Sequence, residues 1–285
     1  MTKMTLGKYM PYNSPIHKLD PRVKILTLIF LMVPIFLSFP NPETSFILYG
    51  VMAIVIYIIM RMSHVRLSMI FKQLKALWVM MLFVSILNIL FIKDTKYGFI
   101  AIGNQGFIIA VKALYDTLYI IIRLVLMVSL TTILTATTKP LDLTFALEWY
   151  LTPLKVFHFP TSEVAMTMTL ALRFIPTFLE DTERIMKAQS SRGVDFEHGK
   201  LMEKLRAMVS LIVPLLSSAI HRSDDLADAL EARGYNPDHK RTHYRQMKWG
   251  FKDTGALLLS LIFFAGFITL AAMKIDVFIW IKGWF

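Results

Sequence analysis

The sequence predicts an all-α polytopic membrane protein, with about five transmembrane helices and a cytoplasmic block of long amphipathic helices. Three observations lead there. Hydrophobic residues make up 55% of the 285-residue chain against 18% charged, and the mean hydropathy is +0.55. That is too apolar for a soluble domain. Apolar stretches near membrane-crossing length recur along the chain. Finally, Ser162 to Tyr235 holds two helix-like runs of similar design. Each is apolar at first, carries a proline near its middle (Pro176, Pro214), and becomes charged in its last turns. Each ends in a small residue, arginine and glycine: Ser191-Arg192-Gly193 and Ala232-Arg233-Gly234. No other stretch repeats, so the pair reads as one structural unit used twice.

In chain order, residues 1–24 are polar and lack the pattern of a cleavable signal. Pro15 and Pro21 keep this segment from forming one long helix. Ile25 to Phe39 is a short apolar run broken by Pro40-Asn41-Pro42, and Thr44 to Met60 is a second. Leu74 to Ile92 reads as a third span. Phe107 to about Thr135 reads as a fourth, longer than a bilayer needs and so tilted or projecting. Gly255 to Ala272 is the fifth, with Trp249, Trp280 and Trp284 as interfacial anchors. The expected division is a membrane domain over 1–136, cytoplasmic helices over 137–250 and a final transmembrane helix within 251–285.

Charge sets the expected orientation. Lys3, Lys8, Lys18, Arg22 and Lys24 precede the first span, and Arg61, Arg66, Lys72 and Lys75 lie between the second and third. The turn from Ser38 to Glu43 has no Lys or Arg, and the third-to-fourth loop has only Lys93 and Lys96. This alternation puts the N-terminus of a multi-pass protein in the cytoplasm. The net charge of +11 therefore reads as a topology signal, and no nucleic-acid partner is expected. With no cysteine, disulfides and thiolate metal sites are excluded.

Arg192 and Arg233 admit two readings. Glycine past a helix end supplies a left-handed cap, and arginine there suits the helix dipole. Acidic residues upstream (Glu180, Asp181, Glu183; Asp224, Asp225, Asp228, Glu231) also offer internal ion pairs. The functional reading is that each arginine projects from a helix tip into an acidic groove on a partner, where a guanidinium fork grips a carboxylate.

Other candidates are weaker. Gly193 to Leu201 approaches a phosphate loop, but has five residues between its glycines and leucine where Ser/Thr is needed. The chain is thus expected to bind no nucleotide itself. Asp224, Asp225 and Asp228 resemble the magnesium-diphosphate motif of membrane prenyltransferases, but Glu180-Asp181-Thr182-Glu183 does not supply the required second motif. His239 and His243 share a helical spacing without further ligands, so no metal site is expected. Lys112, Asp116 and Arg123 form a polar cluster in the fourth apolar stretch, read as an ion pair or as part of a polar pathway. Such a pathway would suit a self-sufficient secondary transporter. Pro176 and Pro214 are expected to kink their helices. The methionines (Met52, Met60, Met80, Met81, Met127, Met166, Met168) are read as packing, a few as an adaptable surface.

Taken together, these motifs resemble the transmembrane T-component of energy-coupling factor (ECF) vitamin transporters. Ser14-Pro15-Ile16-His17-Lys18-Leu19-Asp20-Pro21-Arg22 looks like that family's N-terminal signature. Leu172-Arg173-Phe174-Ile175-Pro176 and Ala229-Leu230-Glu231-Ala232-Arg233-Gly234-Tyr235 look like its coupling-helix sequences. The resemblance implies a non-catalytic coupling subunit that binds no cofactor. Two ABC-type ATPases would bind ATP and Mg and receive the Arg192 and Arg233 tips. The membrane helices would hold a separate substrate-binding S-component, which topples to release a vitamin or metal ion inside.

Overall fold

A computed structural model describes residues 9–37, 42–91, 99–102, 107–157, 159–196, 198, 200–236, 247 and 249–273. Helices dominate: α1 (Pro21–Phe36), α2 (Pro42–Met62), α3 (Leu67–Phe91), α4 (Val111–Thr137), α5 (Pro140–Leu151), α6 (Thr161–Ser191), α7 (Leu201–Ala232) and α8 (Phe251–Ala272). A short antiparallel hairpin, β1 (Phe99–Ile102) with β2 (Phe107–Ala110), precedes α4. The chain divides into two compact units, Met1–Lys139 with Met247–Phe285, and Pro140–Gln246.

In the first unit, α1 packs on α4 and α8, and α4 also packs on α2 and α3. The core gathers Leu31, Ile35, Tyr49, Met52, Leu130 and Phe267. Outside it, α3 leaves Phe71, Trp78, Val79, Met80 and Phe83 exposed, as a lipid-facing helix requires. Met52 and Met60 are buried packing residues, whereas Met80 and Met168 stand exposed.

Among the described residues, five helical stretches are long and apolar enough to cross a membrane, by length and composition: Thr44–Met62, Leu67–Ile89, Ala113–Thr137, Leu201–Ala232 and Phe251–Ala272. Four match expected spans, and two expectations change. First, α1 has only 16 residues, about 24 Å of helix against a hydrocarbon core of about 30 Å. It starts at Pro21, earlier than the apolar run, because Asp20 caps it by accepting the Arg22 N–H at 2.9 Å. Second, α7 meets the apolar measure despite its acidic last turns. The expected fourth helix also loses its first turn: Phe107 to Ala110 is strand, β-rich in sequence and paired with Phe99–Ile102.

The short α1 ends in a polar knot. The Tyr49 hydroxyl donates to Ile35 O at 2.9 Å and the Tyr119 hydroxyl to Leu37 O at 3.2 Å. Arg123 Nη2 donates to Tyr119 Oη at 2.5 Å, with its guanidinium 4.6 Å from that ring's centroid. Carbonyls that α1 would otherwise leave bare at membrane depth are thus satisfied.

In the second unit, α5 packs on α6 and α6 on α7. The α5 helix, which begins on Pro140, was not anticipated from sequence. Both α6 and α7 continue as helix through Pro176 and Pro214.

Candidate functional site

The two tripeptides close their helices with the same geometry. At the end of α6, Gly193 N–H donates to Ser190 O at 3.0 Å and Val194 N–H to Gln189 O at 3.1 Å. At the end of α7, Gly234 N–H donates to Glu231 O at 2.8 Å and Tyr235 N–H to Leu230 O at 3.0 Å. These paired bonds are the Schellman closure, which needs a left-handed residue directly after the cap. Gly193 and Gly234 supply it with φ of +90° and +72°. Both glycines therefore have a purely conformational reason to be there.

The arginines do not share that reason. Arg192 and Arg233 sit at the cap positions with nearly identical backbone angles, φ −88°, ψ 6° and φ −87°, ψ 5°. Both side chains are exposed, and neither forms an ion pair among the described residues. The internal pairing that upstream acids offered is absent there for both. Ser191 and Ala232, one residue before each cap, are also exposed. What remains is two glycine-closed helix ends, each presenting a guanidinium fork with no ion-pair partner among the described residues.

One upstream acid is engaged elsewhere. Asp181 Oδ2 accepts from Arg222 Nη2 at 2.6 Å, joining α6 to α7. The Arg222 guanidinium also lies 5.5 Å from the centroid of the Phe178 ring, one turn back on α6. By contrast, Asp224, Asp225 and Asp228 are exposed, and no metal-holding group of three His, Asp or Glu occurs among the described residues. His239 and His243 lie outside the described residues.

The polar cluster resolves only in part. Arg123 belongs to the tyrosine knot at the end of α1, while the Lys112 side chain lies outside the described residues. Asp116 is half-buried on α4.

The N-terminal signature is a structural clasp. The Ser14 hydroxyl lies 2.7 Å from His17 Nδ1, and His17 Nε2 lies 2.9 Å from Met10 O. Lys24 Nζ, nearly buried, donates to His17 O at 3.2 Å and Thr137 O at 3.0 Å. Asp253 completes it from the first turn of α8. Its Oδ1 accepts the Asp20 N–H and its Oδ2 the Gly250 N–H, both at 2.8 Å. One carboxylate thereby caps its own helix and ties the start of α1 to it. Sequence reasoning missed Asp253 and the Asp181–Arg222 pair. The acid at the third position of a helix was a readable capping signal for the first; nothing local pointed to the second.

The CbiQ family model, described as cobalt transport protein, matches residues 12–244. The energy-coupling factor transporter transmembrane protein EcfT of Macrococcus caseolyticus is 40% identical over 262 residues, covering 90% of this chain and 94% of the relative. Its counterpart in Bacillus subtilis is 39% identical over 272 residues, covering 94% and 98%. That of Staphylococcus aureus is 37% identical over 257 residues, covering 90% and 93%.

The chain belongs to the EcfT family. As a member, it is the transmembrane component of an energy-coupling factor transporter and a multi-pass membrane protein. The matched residues include the clasp from Ser14 to Lys24, both Arg-Gly tips and the Asp181–Arg222 pair. Thirty-two known proteins match the chain significantly, so membership does not hang on one relative.

Proposed function

We propose that this chain is the non-catalytic coupling subunit of an ATP-driven importer. Two ABC-type ATPases dock on its helix tips, Arg192 engaging one and Arg233 the other. They bind the ATP and magnesium; this chain binds neither. A separate S-component held by the membrane helices carries the substrate, a vitamin or another micronutrient. ATPase movement passes through α6 and α7 to that protein. The charge pattern of the loops supports a cytoplasmic N-terminus and a cytoplasmic block holding both tips, in a bacterial cell membrane.

The observation that supports this reading is the pair of exposed arginines held on identical glycine-closed helix ends. A helix cap needs the glycine but not a free guanidinium beyond it, and having the arrangement twice suits a partner with two equivalent sites. A secondary transporter would draw on Lys112, Asp116 and Arg123 as an ion relay, but Arg123 is hydrogen-bonded to Tyr49 and Tyr119.

The test is co-expression of the chain with its ATPases, wild type against Arg192→Glu with Arg233→Glu. Recovery of the ATPases with the membrane chain should fall about tenfold or more, as expected when charge reversal replaces two desolvated ion pairs with repulsion. Normal recovery and transport in the double variant would reduce both arginines to helix caps.

A further inference from the structure

The ion pair between α6 and α7 is placed by the internal repeat. Asp181 and Arg222 are 41 residues apart, the same offset that separates Arg192 from Arg233. The two side chains therefore occupy equivalent positions in the two copies of the unit, acidic in the first and basic in the second. Each lies eleven positions before the arginine of its own tip. At 1.5 Å per residue both arms run about 16 Å from the ion pair to the tip. The helices thus meet at matching points and extend equally beyond them.

We propose that Asp181 and Arg222 are positioning residues that form the pivot of the coupling helices, fixing the spacing and angle of the two tips so that both engage together. This rests on the reading of Arg192 and Arg233 as docking points. The physical case has three parts. First, apolar ridges on crossing helices can shift register by a turn at small cost, whereas a single directional ion pair selects one register. Second, the pair is shielded enough to matter: the Asp181 and Arg222 side chains keep 15% and 28% of their exposure. The guanidinium is also held over Phe178, which shares the Asp181 face of α6. Third, the charges are opposite between the repeats. Two copies of α6 facing each other would oppose acid to acid, and two copies of α7 base to base, so the pair specifies α6 against α7.

The chain has no native cysteine, so spin labels can be placed at will. Ser190→Cys and Glu231→Cys put labels on exposed, repeat-equivalent sites beside the tips. Their separation is measured by pulsed electron resonance on the full chain in lipid nanodiscs, without ATPases. Wild type should give one narrow distribution. Asp181→Arg and Arg222→Asp should each broaden or shift it, and the swap D181R with R222D should restore it. In the complete complex, substrate taken up per ATP hydrolysed should fall in each single variant and recover in the swap.

Single variants with an unchanged distribution would overturn the pivot. So would a swap that recovers neither fold nor distance; if the single variants fail to fold, a folded swap with the wild-type distance supports it. The docking reading fails separately: Arg192→Glu with Arg233→Glu keeps the pivot and the wild-type distance, and reports only on ATPase binding.

Discussion

At each tip two residues with different jobs stand side by side. Gly193 and Gly234 close the helix, and a Cβ added to either meets no atom within 4 Å. Replacing one by alanine therefore causes no clash; it costs only the left-handed backbone, about 1–2 kcal/mol. We expect Gly193→Ala and Gly234→Ala each to fray the last turn of its helix, measured as faster amide hydrogen exchange there. Arg192→Ala and Arg233→Ala should leave that exchange unchanged. His17 makes a second prediction at this scale. Burial, assisted by Lys24 and His64, holds its pKa below the ordinary 6.5, although the Met10 carbonyl pulls the other way. The folded state therefore favours the neutral ring, and the unfolded chain takes up the proton first as pH falls. The clasp's stability is full above pH 6.5 and declines as pH drops through the lowered value. Thermal unfolding in detergent at pH 8 and pH 5.5 should show this loss, and His17→Gln should flatten it.

Among the elements, α1 and α8 show how a local rule acquires a distant consequence. An acid in the first turn of α8 is an ordinary capping choice, yet Asp253 is nearly buried and also holds the Asp20 N–H. Asp253→Ala strands two backbone donors and should destabilise the membrane unit by about 2–3 kcal/mol. Asp253→Asn, which keeps an acceptor oxygen, should lose less; thermal shift in one detergent compares the two. The cap half of this role was legible in sequence and the tie to α1 was not, because the partners are 233 residues apart. Likewise, the apolar run beginning at Ile25 located α1 but not its start, which Asp20 and Pro21 set. From sequence Phe107–Ala110 reads as helix, because a short apolar run has no periodicity to tell helix from strand, and only pairing with Phe99–Ile102 decides it.

A coupling subunit supplies geometry and no chemistry. The purified chain in proteoliposomes is expected to hydrolyse no ATP and to move no substrate, even with an ion gradient imposed. Adding the two ATPases and an S-component should produce uptake that depends on hydrolysis. Gradient-driven uptake by the chain alone would favour the secondary transporter. The exposed apolar side of α7, including Leu205, Met208, Val209, Ile212 and Leu216, is consistent with a helix lying against lipid or protein.

The sequence by itself determined what repeats and what is charged. The 41-residue offset, the two Arg-Gly tips, the N-terminal signature and the apolar runs are properties of neighbours along the chain, visible without coordinates. The resemblance to the family followed from those same local patterns, and relatives at about 40% identity bear it out. Only the tertiary structure decided which charges are free. Arg192, Arg222, Arg233 and Arg123 are alike in composition. Yet Arg222 is bound to Asp181 and Arg123 to two tyrosines, while the other two stand exposed. The reason is that a charge's partner is set by helix packing across tens of residues, and an ion pair forms wherever that packing brings opposite charges within reach.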